Sequence, residues 1–400
     1  MERMEEIRIR FADDNRRKAR LKVIGVGGAG NNAVNGMIEA QLAGVEFVAI
    51  NTDSQALEMS LAQKRLAIGK TGLGAGADPE VGRQAMENDR EKLYDLLADT
   101  DMVFITAGMG GGTGTGASPI IAQIAREMGI LTVAVITKPF LFEGRQRIVR
   151  AEEGIRCLKE HVDTLILIPN QRLVSIIEKG TPLKEAFKRA DQVLLQATRG
   201  ISDLIMVPGL INLDFADVKT VMAEGGDALM GIGEAEGENR SVEATKRAIS
   251  SPFMDDVSIT GAKAVIANIT GDLTFDDFND THTTVHEAVG DDANIFAGAV
   301  IDSKMNGTVR VTIIATGFNS TLPKHSSASQ TNVRTSNSQP FTISYPPPRR
   351  ILDRSTVQTQ KVDEAEVSIP AKPLNVEIPS VKTFNLDDRN IPAFLRRPAD

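Results

Sequence analysis

Short apolar runs alternate with helical apolar periods along the first half of the chain. Residues 21–26, 45–50, 101–107, 130–137 and 164–169 are nearly unbroken apolar segments of strand length. Between them apolar side chains return every three or four positions. Ala33, Val34, Met37, Ile38 and Leu42 form one such stripe, and Pro119, Ile120, Ile121, Ile124 and Met128 another. A third, through Val81, Ala85, Met86, Leu93, Leu96 and Leu97, predicts a single helix started by Asp78 and Pro79. Strands without polar alternation, interleaved with helices, predict a parallel sheet covered on both faces.

A longer helical pattern follows, with Thr181 as N-cap, Pro182 at the first helical position, and a stop at Pro208-Gly209. At about 25 residues it spans ~37 Å. Its apolar positions, from Leu183 and Phe187 to Leu204 and Ile205, cover most sides, so it is expected to divide two domains and pack against both. Directly after it, Asn212, Asp214 and Asp217 alternate with Leu213, Phe215 and Ala216. An N-cap for a helix from about Val218 explains one acid but not the set. Strands at 264–270, 295–301 and 309–316, with helices at 241–250 and 282–289, predict a smaller α+β domain.

The organisation predicted is therefore a flexible arm (1–20), an α/β domain (21–180), a central helix (181–208) and an α+β domain (209–318). A Ser-, Thr-, Pro- and Gln-rich stretch (319–383) reads as a disordered linker. Residues 384–400 regain apolar density through Phe384, Leu386, Ile391, Pro392, Phe394 and Leu395, the mark of a docking peptide that folds on a partner.

The candidate chemistry lies in the loops after the strands. Residues 108–116 hold six glycines and two threonines between a strand and a helix. That arrangement offers bare backbone N–H groups and a positive dipole end to a phosphate, with threonine hydroxyls as added donors. Gly25-Val26-Gly27-Gly28-Ala29-Gly30 matches G-x-G-x-x-G in the same strand-to-helix context. Asn51, Thr52 and Asp53 end the second strand; Asp53 either holds a ribose or caps the helix at 54–60. Gly69-Lys70-Thr71 fails as a P-loop, because Lys64 stands where the motif needs glycine. The glycine-rich loop at 72–79 either closes over phosphates or only connects. Glu143 and Arg147, four apart, form a helix ion pair or contact a ligand at a strand's carboxyl edge.

Composition narrows the classes. With 400 residues, 42% of them hydrophobic, the chain can build two cores. A net charge of −8 argues against nucleic acid as partner. No apolar run reaches the ~18 residues of a membrane span and no signal peptide opens the chain, so no direct membrane insertion is expected. Cys157 is the single cysteine, which excludes an internal disulfide and favours a cytoplasmic setting. Trp is absent and Tyr occurs twice, leaving few aromatic platforms for a base. His282 and His286 lack a third ligand, and no metal site is predicted.

Two phosphate-type loops without a Walker lysine disfavour the common NTPase fold. A dinucleotide oxidoreductase using 25–30 and Asp53 leaves 108–116 and the acidic loop unexplained; a nucleotide-gated scaffold without hydrolysis is the other alternative. Three stretches carry a resemblance. Gly-Gly-Gly-Thr-Gly-Thr-Gly at 110–116 resembles the signature of the tubulin/FtsZ superfamily, residues 212–217 its synergy loop, and residues 388–396 the C-terminal docking peptide of bacterial FtsZ. The resemblance runs almost continuously over 21–317 and resumes at the tail. Arg389-Asn390 departs from the more acidic pattern of many relatives.

The resemblance implies a GTPase that polymerises head to tail in the cytoplasm, at a mid-cell division ring, and recruits division proteins there. Gly28, Ala29, Gly30, Asn31 and Asn32 would line the first phosphate loop, and Gly112, Thr113 and Gly114 would hold the terminal phosphates. Glu143 and Arg147 would reach the ribose, and Asp191 the guanine edge. GTP or GDP, with Mg2+ held mainly through the phosphates, would be the ligands. Asp214 and Asp217 lie too far along the helix to serve their own nucleotide, so they would position water at a neighbour's, with Asn212 orienting the loop. Ile391, Pro392, Phe394 and Leu395 would hook membrane-bound adaptors of FtsA, ZipA or SepF type.

Overall fold

A computed structural model describes residues 19–318, apart from residues 179, 208, 224, 225 and 255–258. The predicted linker and docking peptide, and all but the last two residues of the predicted arm, lie outside the described residues.

The chain begins with β1 (Leu21–Val26), α1 (Gly27–Glu39), β2 (Val45–Asn51), α2 (Ser54–Glu58) and β3 (Lys64–Ala67). It continues through α3 (Pro79–Asn88), α4 (Arg90–Leu97), β4 (Met102–Gly108), α5 (Thr113–Glu127) and β5 (Leu131–Lys138). Next come α6 (Arg145–Lys159), β6 (Thr164–Pro169), α7 (Asn170–Leu173), α8 (Leu183–Met206) and α9 (Phe215–Ala223). The second half adds β7 (Gly226–Glu236), α10 (Arg240–Ile249), β8 (Ala264–Gly271), α11 (Phe275–Val289), β9 (Asn294–Ile301) and β10 (Thr308–Thr316).

The strands form one sheet in the order β3-β2-β1-β4-β5-β6-β7-β10-β8-β9. From β3 to β7 every neighbouring pair is parallel. β10 then runs antiparallel to both β7 and β8. The winding reverses between β1 and β4, which opens a crevice at their carboxyl ends where such sheets bind ligands. Alternate side chains of the central parallel strands enter different cores. Val23, Phe104 and Val133 pack under α1 and α8, while Ile24, Val103 and Ala134 pack under α3 to α6. Both faces are dry, which is why these strands read as unbroken apolar runs; each fully buried large side chain contributes roughly 1.5–3 kcal/mol.

α8 is the spine of the fold. Leu194, Ala197 and Ile201 share one core with Val34 of α1, Val133 of β5 and Ile266 of β8, so the helix packs against both halves of the sheet. A separate core under α10 and α11 holds Ala244, Val285, Val311 and Ile313.

Several local expectations change. The helix predicted over the segment after Asp78 breaks at Asp89 into α3 and α4, because the Asp89 carboxylate turns away to accept the Gly69 N–H at 2.9 Å and to pair with Lys92. α8 starts at Leu183 with Pro182 as its cap residue; the Thr181 hydroxyl donates to the Glu178 carbonyl and caps nothing. α9 starts at Phe215, earlier than expected. β7 escaped the sequence pattern because Gly231 and Gly233 interrupt it. Those glycines let α10 lie against the strand: a Cβ at either would stand 1.9 Å from a helix carbonyl.

Candidate functional site

The β1–α1 turn is built on glycines with separable jobs. A Cβ at Gly25 would stand 2.5 Å from the Gly30 carbonyl oxygen, and one at Gly30 would stand 2.3 Å from that of Thr106, so both let backbones touch. Gly27 takes φ +70° and brings the turn against Gly114. Gly28 faces open space, with nothing within 4 Å of a Cβ. Ala29 and Asn32 are exposed at the rim. Asn31 lies beneath, 3% exposed. With its amide oriented to satisfy its neighbours it donates to the carbonyls of Gly25 and Gly27 and accepts from Asn51. Its side chain braces the turn from inside.

The glycine run after β4 is equally braced. The Thr115 hydroxyl accepts the Gly110 N–H at 2.8 Å, and the Thr113 hydroxyl lies 2.6 Å from that of Thr52. Gly112 abuts Ala75 and Asp78, and Gly116 abuts Pro79, which seats α3 against α5. Gly111, like Gly28, has nothing within 4 Å of a Cβ. The loop at 68–78 is a fixed wall beside the run, because the Ile68, Gly69 and Gly74 N–H groups bond to Asn51, Asp89 and Thr52. Its tip, Leu73, is 88% exposed.

Capping separates these two helices, α1 and α5, from α2, α3 and α11. Asp53, Asp78 and Thr274 cap α2, α3 and α11 with their side chains. α1 and α5 have no side-chain cap and no acid in the first turn. Two sets of unsatisfied N–H groups and two positive dipole ends therefore converge on one crevice, which suits an anion of several charges. Asp53 accepts the Gln55 and Ala56 N–H groups through one carboxylate oxygen and so caps α2.

The β5–α6 and β6–α7 turns form the next wall. Glu143 accepts the Phe140 N–H at 2.8 Å and pairs with Arg147 at 3.2 Å. The backbone of Arg147 abuts Gly110, so the ion pair stands beside the glycine run. Gln171 accepts the Leu141 N–H and ties the two turns together. Asn170, first residue of α7, is 5% exposed, and its side-chain oxygen has no hydrogen-bond partner. This sets a buried, unpaired acceptor at the carboxyl end of β6.

α8 completes the wall. Phe187 meets Phe140 edge-on at 5.5 Å and Phe142 at 6.3 Å, and those two rings stack at 4.9 Å. One turn on from Phe187 lies Asp191, whose carboxyl burial pushes up to about 7. An unpaired, half-desolvated carboxyl beside aromatic rings fits the edge and face of a base carrying N–H donors. Phe187 and Asn170 were missed by sequence reasoning. Their available signals were a phenylalanine one turn before Asp191 and an amide ending a buried strand.

Asn212, Asp214 and Asp217 are not part of this crevice. α8, with 24 residues, separates them from Asp191's end of the helix by much of its length of about 36 Å. Asn212 accepts the Gly209 N–H at 2.7 Å and folds the loop, and Ile211 pairs with Ala299 of β9. Asp214 is exposed and caps α9 through the Asp217 N–H; Asp217 follows in the first turn. His282 and His286 stack at 6.4 Å on α11, and the described residues hold no group of three or more His, Cys, Asp or Glu fit for a metal.

Comparisons with known proteins agree with this geometry. The family model for the Tubulin/FtsZ family, GTPase domain, matches residues 20–178, and that for the FtsZ family, C-terminal domain, matches residues 226–319. Among solved structures, an empty FtsZ dimer from M. jannaschii is 45% identical, covering 76% of this chain and 89% of its own, with a TM-score of 0.73. A mutant of the M. jannaschii FtsZ is 46% identical over 75% and 92% of the two chains, also with a TM-score of 0.73. CetZ2 from Haloferax volcanii, a GTPγS-bound protofilament, shares the fold at 20% identity, over 75% and 93% of the two chains, with a TM-score of 0.62.

Proposed function

The chain belongs to the FtsZ family of polymerising cytoskeletal GTPases, and on that premise we propose that it hydrolyses GTP at the joint between head-to-tail subunits of a division filament. The observation that carries this reading is a separation: the uncapped starts of α1 and α5 meet in one crevice, while the acids of residues 212–217 stand at the far end of α8.

Gly28, Ala29, Gly30 and Asn32 border the α- and β-phosphates, with Asn31 holding their turn in shape. Gly112, Thr113 and Gly114 take the terminal phosphates. Glu143 and Arg147 reach the ribose, Phe187 covers the base, and Asp191 and Asn170 accept its N–H groups. The open positions at Gly28 and Gly111 and the orphan oxygen of Asn170 are the features a guanine nucleotide fits. Mg2+ would be held mainly through the phosphate oxygens and would supply neutralisation of their charge.

Hydrolysis needs a group that orients water in line with the terminal phosphate. Asp214 and Asp217 of the next subunit supply it, and Asn212 fixes the loop that carries them. A contact between unlike faces propagates as a filament. Exposed apolar side chains flank both ends of α8: Leu73, Phe142 and Leu183 at the crevice, Leu210, Ile211 and Ile301 at the acidic loop. They fit a joint buried on assembly. No described helix is long and apolar enough to cross a membrane. The filament is held at the mid-cell membrane through adaptors of FtsA, ZipA or SepF type that bind Ile391, Pro392, Phe394 and Leu395, residues outside those described.

A mixing experiment tests the central point. Asp217→Asn subunits bind GTP without turnover, and Gly111→Ala subunits keep the loop but lose nucleotide. Mixed copolymers recover GTP turnover if the site is shared between subunits. An unmixed Asp217→Asn protein at full activity would overturn the assignment, as would a GTPase rate per subunit that does not rise with protein concentration.

A further inference from the structure

Thr52 and Thr113 come from turns 61 residues apart, and their hydroxyl oxygens lie 2.6 Å apart. Thr52 is 5% exposed and Thr113 8%. Among the described residues neither hydroxyl has another hydrogen-bond partner. Two hydroxyls carry two protons, and the bond between them uses one. The second proton therefore sits in a buried place without an acceptor, a state proteins rarely leave uncorrected.

Position decides which hydroxyl faces outward. Helical threonines elsewhere in the chain donate back four residues, as Thr198 does to Leu194, Thr220 to Ala216 and Thr245 to Ser241. Thr113 is the first residue of α5 and has no preceding helical carbonyl to use. It lies between Gly112 and Gly114, in the run whose N–H groups face the crevice. Thr52 is fixed behind it. The Thr52 carbonyl accepts the Gly74 N–H at 3.0 Å, and Asp53 beside it caps α2.

We infer that Thr52 is a positioning residue for the GTPase. Its hydroxyl donates to Thr113, and this commits the Thr113 proton to an oxygen of the terminal phosphate. A phosphate oxygen only accepts, so the chain has one direction: Thr52 donates to Thr113, and Thr113 donates to phosphate. Without the Thr52 hydroxyl the Thr113 rotor is free. The donor then aims at the phosphate for only part of the time, which weakens a contact that GTP makes and GDP does not. The inference rests on the assignment of Thr113 to the terminal phosphate.

The test compares Thr52→Val, Thr52→Ser and Thr113→Val in the full chain, below the assembly threshold. Affinity is measured for GDP and for a non-hydrolysable β,γ-methylene GTP analogue. Thr52→Val keeps the shape and removes the proton. It is expected to weaken the analogue by about three- to tenfold and leave GDP within about twofold, with Thr52→Ser restoring the preference. Equal weakening of both nucleotides would mean that Thr52 only supports the fold, and would overturn the inference, as would no change in either. Thr113→Val separates the premise from the inference. If it leaves the preference for the analogue intact, Thr113 does not hold the terminal phosphate; if it abolishes that preference and Thr52→Val does not, Thr52 alone is misassigned. Thermal unfolding without nucleotide verifies that each variant is folded.

Discussion

The Asp214 carboxylate accepts the backbone N–H of Asp217 at 2.7 Å. The first acid of the loop is thus the cap of α9, while the second stands in the helix's first turn. Capping and catalysis can therefore be separated at Asp214. Asparagine caps a helix as well as aspartate does, whereas alanine costs about 1 kcal/mol. Asp214→Asn is expected to keep its melting temperature and GTP affinity while filament turnover falls by about a hundredfold. Asp214→Ala should lose turnover and also unfold a few degrees earlier. Steady-state turnover above the assembly threshold, read beside GTP affinity and calorimetry, distinguishes the two effects.

Asp191 gives the protein a characteristic pH response. Burial pushes its carboxyl up to about 7, against ~3.9 for an exposed aspartate. Between those values the folded, nucleotide-free chain keeps a proton that the unfolded chain has released, so its stability falls as pH rises from about 4 to about 7. Guanine N–H groups favour the charged carboxylate. GTP affinity should consequently weaken by up to about tenfold per pH unit below about 7 and level off above it. Titration calorimetry across pH 5.5–8.5, roughly, reads this directly, and Asp191→Asn should flatten the profile. Asp203, pushed up to about 6 by burial against the opposing pull of Arg199 and Arg310, adds to the stability slope below about pH 6. It lies in the cleft of about 420 Å3 between α8 and β10. Asp203→Asn should change the stability slope and leave the nucleotide profile alone.

Two glycines of the same run should respond oppositely to one methyl group. A Cβ at Gly116 would stand 1.9 Å from the Pro79 carbonyl oxygen, backbone that cannot step aside, so Gly116→Ala should cost about 3 kcal/mol or more. Gly111 has nothing within 4 Å of a Cβ. Gly111→Ala should melt like the parent protein and yet lose GTP, because the methyl group occupies the crevice. Denaturant unfolding and nucleotide binding on the two variants provide the comparison.

Asn170 should govern recognition of the guanine 2-amino group. Its buried oxygen has no partner within the described fold. Removing an acceptor that the base would satisfy costs roughly 1–2 kcal/mol, about tenfold in affinity. Asn170→Ala is therefore expected to narrow the preference for GTP over ITP, which lacks that amino group, with little change in ITP affinity itself. Competition binding measures the ratio.

Local signals in the sequence carried much of the fold. The unbroken apolar runs were strands because both faces of the sheet are dry, and the strand at Thr164–Pro169 was legible to the residue. Asp78 and Pro79 marked a helix start through fixed backbone chemistry. Signals failed where a distant partner decided the outcome. Asp89 breaks a helical period because Gly69, twenty residues away, offers its N–H. Gly231 and Gly233 make β7 look unlike a strand because α10 presses on them.

The site divides the same way. Glycine loops between a strand and a helix are visible in the sequence, because spacing alone marks them. By itself, then, the sequence determined two glycine-rich loops between strands and helices, a long helix and an acidic loop beyond it. Tertiary structure decided what each residue faces. It set Asn31 to brace its turn from below and paired Thr52 with Thr113. It left the oxygen of Asn170 without a partner, and it gathered Phe140, Phe142 and Phe187 in a chain whose aromatic content is only 4%. The physical reason is range. Capping, periodicity and glycine turns act within a few residues, whereas desolvation and hydrogen-bond partnership depend on which strand edges the winding of the sheet brings together.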